Sequence, residues 1–171
     1  MELSYYQEGE ICFSSPTVMM GYYNNKEATD AIVKRHEDGE LWPHTGDIGY
    51  MTEDGILYVT GRIKRIIMTK GKDGQATKLF PDRIERVLSE HPAVQLCCDV
   101  GVPDPTRINY PKAMVELLPS EKPSEQLEKE IIRFCDSKLP EYQIPEQIVF
   151  VDSLPRTPRG KVDYRAVEQS V

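Results

Sequence analysis

The sequence predicts an α+β chain, β-rich as far as Gly61 and then a compact α/β module with a small central sheet flanked by helices. Three observations lead there. Residues 47–52 and 56–60 read as strands, with β-branched and aromatic residues on both sides of the turn Glu53-Asp54-Gly55. Beyond Arg62, strand-like apolar runs alternate with stretches of helical period. Finally, 39% hydrophobic residues in a chain of 171 are adequate for a packed core.

Taken in order, residues 10–14 read as a strand that Ser15-Pro16 ends. Residues 26–35 follow as a short amphipathic helix, with Ala28, Ala31, Ile32 and Arg35 on one face and Asn25 as N-cap. Asp38-Gly39 then turns the chain toward Trp42 and the 47–60 hairpin. Past Arg62, residues 66–69 and 78–80 are expected to pair around the glycine-containing loop 71–75. Pro81 suits the first turn of a helix running to about Glu90, with Ile84, Val87 and Leu88 inward and His91-Pro92 as its stop. Two strands are expected at 94–102 and 112–118, joined by a loop over 103–111. Ser124 offers an N-cap to a helix over 125–139 whose apolar face is Leu127, Ile131, Phe134 and Cys135. A short strand at 148–151 and a helical turn at 163–167 complete the module.

The net charge of -7 argues against an overall attraction to nucleic acid or anionic lipid. No stretch approaches the roughly 20 apolar residues of a membrane span, and the opening MELSYYQEGE has no basic or apolar region of a signal peptide, so a cytoplasmic protein is expected. Cys12, Cys97, Cys98 and Cys135 have no paired C-x-x-C spacing and read as buried free thiols. His36, His44 and His91 are scattered, so the spacing suggests neither a zinc site nor a Cys-His nucleophile.

Three places are chemically suggestive. Lys161 ends the run Pro155-Arg156-Thr157-Pro158-Arg159-Gly160, a loop guided by two prolines, where a lysine suits a point-charge role against phosphate or carboxylate oxygen. A solvated basic tail is the plain alternative. Asp47 can accept both hydroxyls of a ribose, and Arg62 can donate a fork to ribose or phosphate oxygens; alone, each also reads as a turn residue or a strand-edge charge. Residues 61–86 hold eight basic side chains, Arg62, Lys64, Arg65, Lys70, Lys72, Lys78, Arg83 and Arg86, against Asp73, Asp82 and Glu85. With Phe80 the one aromatic among them, a solvated face or a small phosphorylated ligand competes with nucleic acid there, and the amides around Gly71 and Gly74 are candidates for close approach.

The segments GEICFSSPTVMMGYY at 9–23, HTGD at 44–47, DGILYVTGRIKRII at 54–67, LFPDRIERVLSEHPAV at 79–94, VGVPD at 100–104 and LPRTPRGKVDYR at 154–165 occur in this order. The series resembles the C-terminal part of the adenylate-forming (AMP-binding) enzymes: acyl-CoA synthetases and acid-CoA ligases, adenylating domains of peptide synthetases, and firefly luciferase. It covers nearly the whole chain.

The resemblance implies a remnant of the large N-terminal nucleotide-binding domain over 1–61, a hinge over 62–65 and a C-terminal lid domain over 66–171. Asp47 and Arg62 match the family's nucleotide-binding residues, Lys64 the hinge position, and Lys161 the catalytic lysine that bridges substrate carboxylate and α-phosphate. Gly71 or Gly74 matches the glycine beside the CoA pantetheine. The implied reaction joins a carboxylic acid to CoA through acyl-AMP, with ATP/AMP and CoA as cofactors and fatty acid metabolism as a setting. No metal site is expected in this chain: the phosphate loop, acid pocket and Mg site are expected upstream, so the isolated chain is expected to be inactive. No nucleic-acid partner is implied. A carrier-protein-loading adenylation domain and a non-catalytic CoA- or partner-binding module are the alternatives. Arg65 departs from the family, which is often acidic after the hinge lysine, and the loop between Gly71 and Pro81 is longer than usual.

Overall fold

A computed structural model describes residues 3–71 and 73–171, so Lys72 of the basic run lies outside the described residues. The chain is mixed α/β and divides into two compact units, Met1–Lys64 and Arg65–Val171.

The first unit is a four-stranded sheet built on one long strand. β1 is Gly9–Cys12, α1 Lys26–Ile32, β2 Val33–Arg35, β3 Leu41–Met51 and β4 Leu57–Arg62. β3 pairs antiparallel with β1, β2 and β4. Its hairpin with β4 forms at the expected turn, where Gly55 takes φ 81° and Tyr50 stacks on its cross-strand partner Tyr58 at 5.2 Å. Asn25 caps α1 by accepting the Ala28 N–H at 2.9 Å. The helix is shorter than its periodicity suggests, because Val33, Lys34 and Arg35 leave it to pair with Pro43, Trp42 and Leu41. Pairing to β3 outweighs helical propensity at a β-branched residue. This unit buries little of its own apolar surface: Ile48 is 8% exposed, whereas Met20 and Tyr23 are 98% and 94% exposed.

The second unit has a true core. β5 (Ile67–Lys70) and β6 (Ala76–Leu79) form an antiparallel hairpin, followed by α2 (Pro81–Ser89). β7 (Val94–Asp104), β8 (Ile108–Leu117) and β9 (Gln147–Phe150) make a three-stranded sheet in that order, β9 parallel to β8. The α3 helix (Glu125–Asp136) crosses between β8 and β9, and Ser124 caps it by accepting the Leu127 N–H at 3.1 Å. One sheet face packs Cys97, Ala113, Val115 and Ile148 against Ile84 and Leu88 of α2 and Ile131 and Cys135 of α3, with Ile67 and Leu79 closing the edge. The other face packs Cys98 and Val100 against Leu154 and against Val167 of α4 (Tyr164–Glu168). Each fully buried Leu or Ile contributes about 1.5–3 kcal/mol, which makes this sandwich the stable body of the chain.

The expected 103–111 loop is mostly strand: Pro103 lies opposite Asn109 and Pro111 opposite Gly101. Pro111 sits where the β9 ladder begins: β9 pairs with β8 from Lys112 onward, and the Pro111 carbonyl accepts the Glu146 N–H at 2.9 Å while its ring takes the place of an N–H before the ladder. Among the described residues no helix is long and apolar enough to cross a membrane.

Candidate functional site

β3 and β4 pair so that Asp47 and Arg62 are direct cross-strand partners, with Arg62 Nε 2.9 Å from Asp47 Oδ1. The corner carrying Asp47 is fixed from β1. Glu10 Oε1 accepts the Gly46 N–H at 3.1 Å, Thr45 Oγ1 donates to the Ile11 carbonyl at 2.9 Å, and the Asp47 N–H donates back to Thr45 Oγ1 at 3.0 Å. Asp47 is thus an acceptor of set direction, beside a guanidinium that is 60% exposed and open to further acceptors. An exposed pair of this kind contributes only about 0–1 kcal/mol to folding, so its value lies in geometry.

After Arg62 the chain makes a 3-10 turn over Ile63–Arg65, and the boundary of the compact units falls inside that turn, between Lys64 and Arg65. Lys64 is exposed. Arg65 is not part of a basic surface. Its side chain is 11% exposed and forks onto Glu85, NH1 to Oε2 at 2.9 Å and NH2 to Oε1 at 2.5 Å. It also donates to the Asp99 carbonyl at 3.3 Å and lies over the Tyr164 ring at 5.2 Å. Burial alone would weaken this charge, but the hydrogen bonds and attraction from Glu85, with Asp82 adding, hold Arg65 above its ordinary pKa. The eight-residue basic run is therefore not one solvated face: Arg62 and Arg65 are paired, and Arg83 and Arg86 have interactions of their own.

Gly71 and Gly74 close the β5–β6 turn. The Gly71 N–H donates to Gln75 O at 2.9 Å and the Gly74 N–H to Gly71 O at 3.0 Å. Both amides are hydrogen-bonded within the hairpin. The two glycines differ in kind: a Cβ at Gly71 would meet Asp73 Oδ1 and Thr77 Oγ1 at 3.1 Å, while Gly74 has open space around it and φ 75°.

Lys161 is exposed and follows a closed turn. The Gly160 N–H donates to Thr157 O at 2.8 Å, the Thr157 N–H to Lys161 O at 2.7 Å, and Arg156 bridges to Val162. Gly160 takes φ 79°, so the loop ends in the left-handed conformation that glycine adopts without penalty. Glu116, buried in β8, anchors the loop by accepting the Leu154 N–H and lying 3.6 Å from Arg156. The lysine is thus presented by a built turn and not by a loose tail.

Glu10, Glu85 and Glu116 accept the hydrogen bonds that hold the Gly46 corner, Arg65 and the Leu154 loop, and sequence reasoning did not single them out. Of the three, Glu116 alone has a sequence signal, a carboxylate within the apolar stretch that becomes β8, where it is buried. Folding also joins residues that are scattered in sequence. Cys12 lies opposite His44 across β1–β3. Glu10 Oε2 is 2.7 Å from His44 Nδ1, and His44 Nε2 is 3.0 Å from His36 Nε2, whose ring stacks on Trp42 at 5.4 Å. Burial alone would raise Glu10, but hydrogen bonds from His44 and Gly46 outweigh it and hold it below the usual carboxylate range. All four cysteines are free as expected; Cys97, Cys98 and Cys135 are buried, but Cys12 is only partly so, because it sits on the core-poor first unit. Glu10, Cys12 and His44 each offer a donor atom, all within 4.8 Å of one another. A thiol, an imidazole and one carboxylate do not fit magnesium, which takes near-octahedral oxygen ligands.

Residues 83–161 match the AMP-binding enzyme C-terminal domain. The 2-succinylbenzoate–CoA ligase of Bacillus cereus is 37% identical over 166 residues, which are 97% of this chain and 31% of that protein. Among solved structures, the o-succinylbenzoate CoA synthetase of Bacillus subtilis in complex with its acyl-adenylate intermediate superposes with a TM-score of 0.81 at 31% identity, over 97% of this chain and 31% of that one. An anthranilate CoA ligase in complex with anthranoyl-AMP gives 0.82 at 31% identity, over 98% and 31%. The chain therefore spans 31% of the length of the curated relative it matches.

Proposed function

We propose, for a chain that carries the C-terminal domain of the AMP-binding enzymes over residues 83–161, that it is the C-terminal part of an ATP-dependent acid:CoA ligase. The observation that supports this most directly is the alignment of 97% of the chain with an acid–CoA ligase at 37% identity. The exposed apolar residues of the first unit are consistent with a domain completed by further chain.

In this reading residues 1–61 belong to the nucleotide-binding domain, 62–65 to a hinge and 66–171 to a lid. A substrate carboxylate oxygen attacks the α-phosphorus of ATP, the bond to pyrophosphate breaks, and acyl-AMP forms. Lys161 sits between carboxylate and α-phosphate, where its charge offsets the negative charge that builds up. Asp47 accepts the ribose hydroxyls and Arg62 donates beside it. The lid then turns about Lys64, and the CoA sulfur attacks the acyl carbon, releasing AMP and the thiol proton. Gly71 or Gly74 lines the pantetheine path through the shape of the hairpin, since both amides are occupied. The protein ligands of the magnesium that accompanies ATP lie outside this chain, consistent with the poor fit of the Glu10–Cys12–His44 donors to that ion. We place the enzyme in the cytoplasm with no nucleic-acid partner. The relatives' names offer 2-succinylbenzoate and anthranilate as acids, which favours a small aromatic carboxylate over the fatty acids the resemblance implied.

The test is a split of half-reactions in the full-length parent enzyme. Lys161→Ala should abolish acid-dependent pyrophosphate exchange into ATP yet spare thioester formation from supplied acyl-AMP. Equal loss of both half-reactions would refute the role. The isolated chain should catalyse no exchange at all. Replacing CoA by a carrier protein in the same assay decides the acceptor.

A further inference from the structure

We propose that Glu10, Cys12 and His44 form a binding site for a divalent transition ion of the zinc class, with His36 supporting the imidazole from behind. The donors come from two paired strands: Cys12 of β1 lies opposite His44 of β3, and Glu10, paired with Ile48 across a register shift, still brings Oε2 to 2.7 Å from His44 Nδ1. Their ligand atoms all lie within 4.8 Å of one another. Tetrahedral zinc ligated at about 2.0–2.3 Å sets donor separations of about 3.3–3.7 Å, so rotamer adjustment brings these atoms to that geometry. The ion replaces the 2.7 Å hydrogen bond between His44 Nδ1 and Glu10 Oε2.

The surroundings suit that exchange. For His44 Nδ1 to ligate, its proton must sit on Nε2, and His36 Nε2 stands 3.0 Å from that atom as acceptor. A ligating histidine commonly donates its other N–H in this way, which fixes ring and tautomer. Trp42 stacks on His36 within 18° of parallel and holds the supporting ring. Sulfur, nitrogen and a single carboxylate select zinc, cobalt or copper over magnesium and calcium. Three protein ligands leave one position for solvent. On binding, the Cys12 thiol loses its proton to water and a sulfur–metal bond forms. Because Glu10 Oε1 also holds the Gly46 N–H, an ion here acts on the corner that carries Asp47. The inference stands on the first unit alone and does not depend on the ligase reading.

Cobalt(II) titrated into the 171-residue chain should produce a thiolate-to-cobalt charge-transfer band that saturates stoichiometrically and is displaced by zinc. Cys12→Ser should remove the band, Cys135→Ser should leave it, and His36→Phe should weaken binding about 10- to 100-fold. A second measurement needs no variant: with the other three thiols buried, alkylation of the native chain reports Cys12, and zinc but not magnesium should slow it. Absence of the cobalt band, its survival in Cys12→Ser, or alkylation indifferent to zinc overturns the site.

Discussion

Arg65 and Glu85 meet in a two-point ion pair inside the second unit, with side chains only 11% and 19% exposed. The pair joins the first residue of that unit to the middle of α2, and the Asp99 N–H donates to the same Glu85 Oε1 at 2.8 Å. A buried pair of this kind adds little over an apolar replacement of both partners, but breaking it leaves a charge in low dielectric. Glu85→Ala should therefore destabilise the chain by about 3–5 kcal/mol, measured by urea unfolding. Arg65→Met combined with Glu85→Leu should recover most of that loss. Near-equal losses in the single and double variants would show that packing, not the uncompensated charge, carries the cost.

Asp99 gives the second prediction. It alternates with Cys98 and Val100 along β7 and so faces the α2–α3 side of the sheet with Cys97, where both of its carboxylate oxygens are buried without a hydrogen-bond partner. Burial raises its pKa well above the ordinary value, Glu85 repels it further, and Arg65 opposes only in part. Cys97 and Cys98 beside it on β7 and Cys135 on α3 are neutral thiols pushed up to about 12, 12 and 11, so they carry no charge at neutral pH. The native state therefore binds a proton that the unfolded chain releases near pH 4. Stability from this residue is greatest below that pH and falls as pH rises toward the elevated native value. Asp99→Val should remove this slope and stabilise the chain at pH 7 by about 1–3 kcal/mol, read from unfolding midpoints at pH 5 and pH 7. A wild-type stability that rises between those pH values by the amount seen in the variant would contradict it.

The elements that were legible in the sequence are those whose determinants are local. Asp54-Gly55 announced the β3–β4 hairpin, and Asn25 and Ser124 announced helix starts that the structure places one residue on. What was illegible depends on partners far along the chain. Val33–Arg35 reads as helix until β3 claims it, and Pro103 and Pro111 read as loop until β7 and β8 pair. Glu10 and His44, 34 positions apart, show no relationship until β1 joins β3. The functional candidates divide the same way. Asp47 and Arg62 were suggestive separately and become one feature through strand register; Lys161 was suggestive from its proline-guided loop, whereas its bridging role and the hinge role of Lys64 come from the family resemblance alone.

Ile108 carries a backbone strain that sequence cannot reveal. It opens β8 with φ 73°, a left-handed conformation that costs a β-branched residue about 1–2 kcal/mol, and its side chain is 42% exposed, so little burial offsets that cost. Ile108→Gly should stabilise the chain by up to about 1 kcal/mol, the relief being partly offset by the greater freedom of glycine in the unfolded state. Urea unfolding decides it, and a loss exceeding about 1 kcal/mol would mean that the exposed Ile108 side chain packs more strongly than its exposure implies.

Gly160 links conformational strain to the proposed chemistry. An added Cβ would meet nothing within 4 Å, so Gly160→Ala is opposed only by φ 79°. That cost is about 1 kcal/mol, too small to unfold the sandwich of β7, β8 and β9 but enough to favour a turn that no longer delivers the next residue in the same direction. In the parent enzyme Gly160→Ala should lower the rate of acyl-AMP formation while leaving thioester formation from supplied acyl-AMP near normal, because in the function proposed above Lys161 serves only the first step. Gly39→Ala, a substitution at φ 83° with equally open space in the β2–β3 turn, is the matched control and should leave both half-reactions unchanged. If the two variants slow the enzyme alike, presentation of Lys161 by its turn is not what limits adenylation.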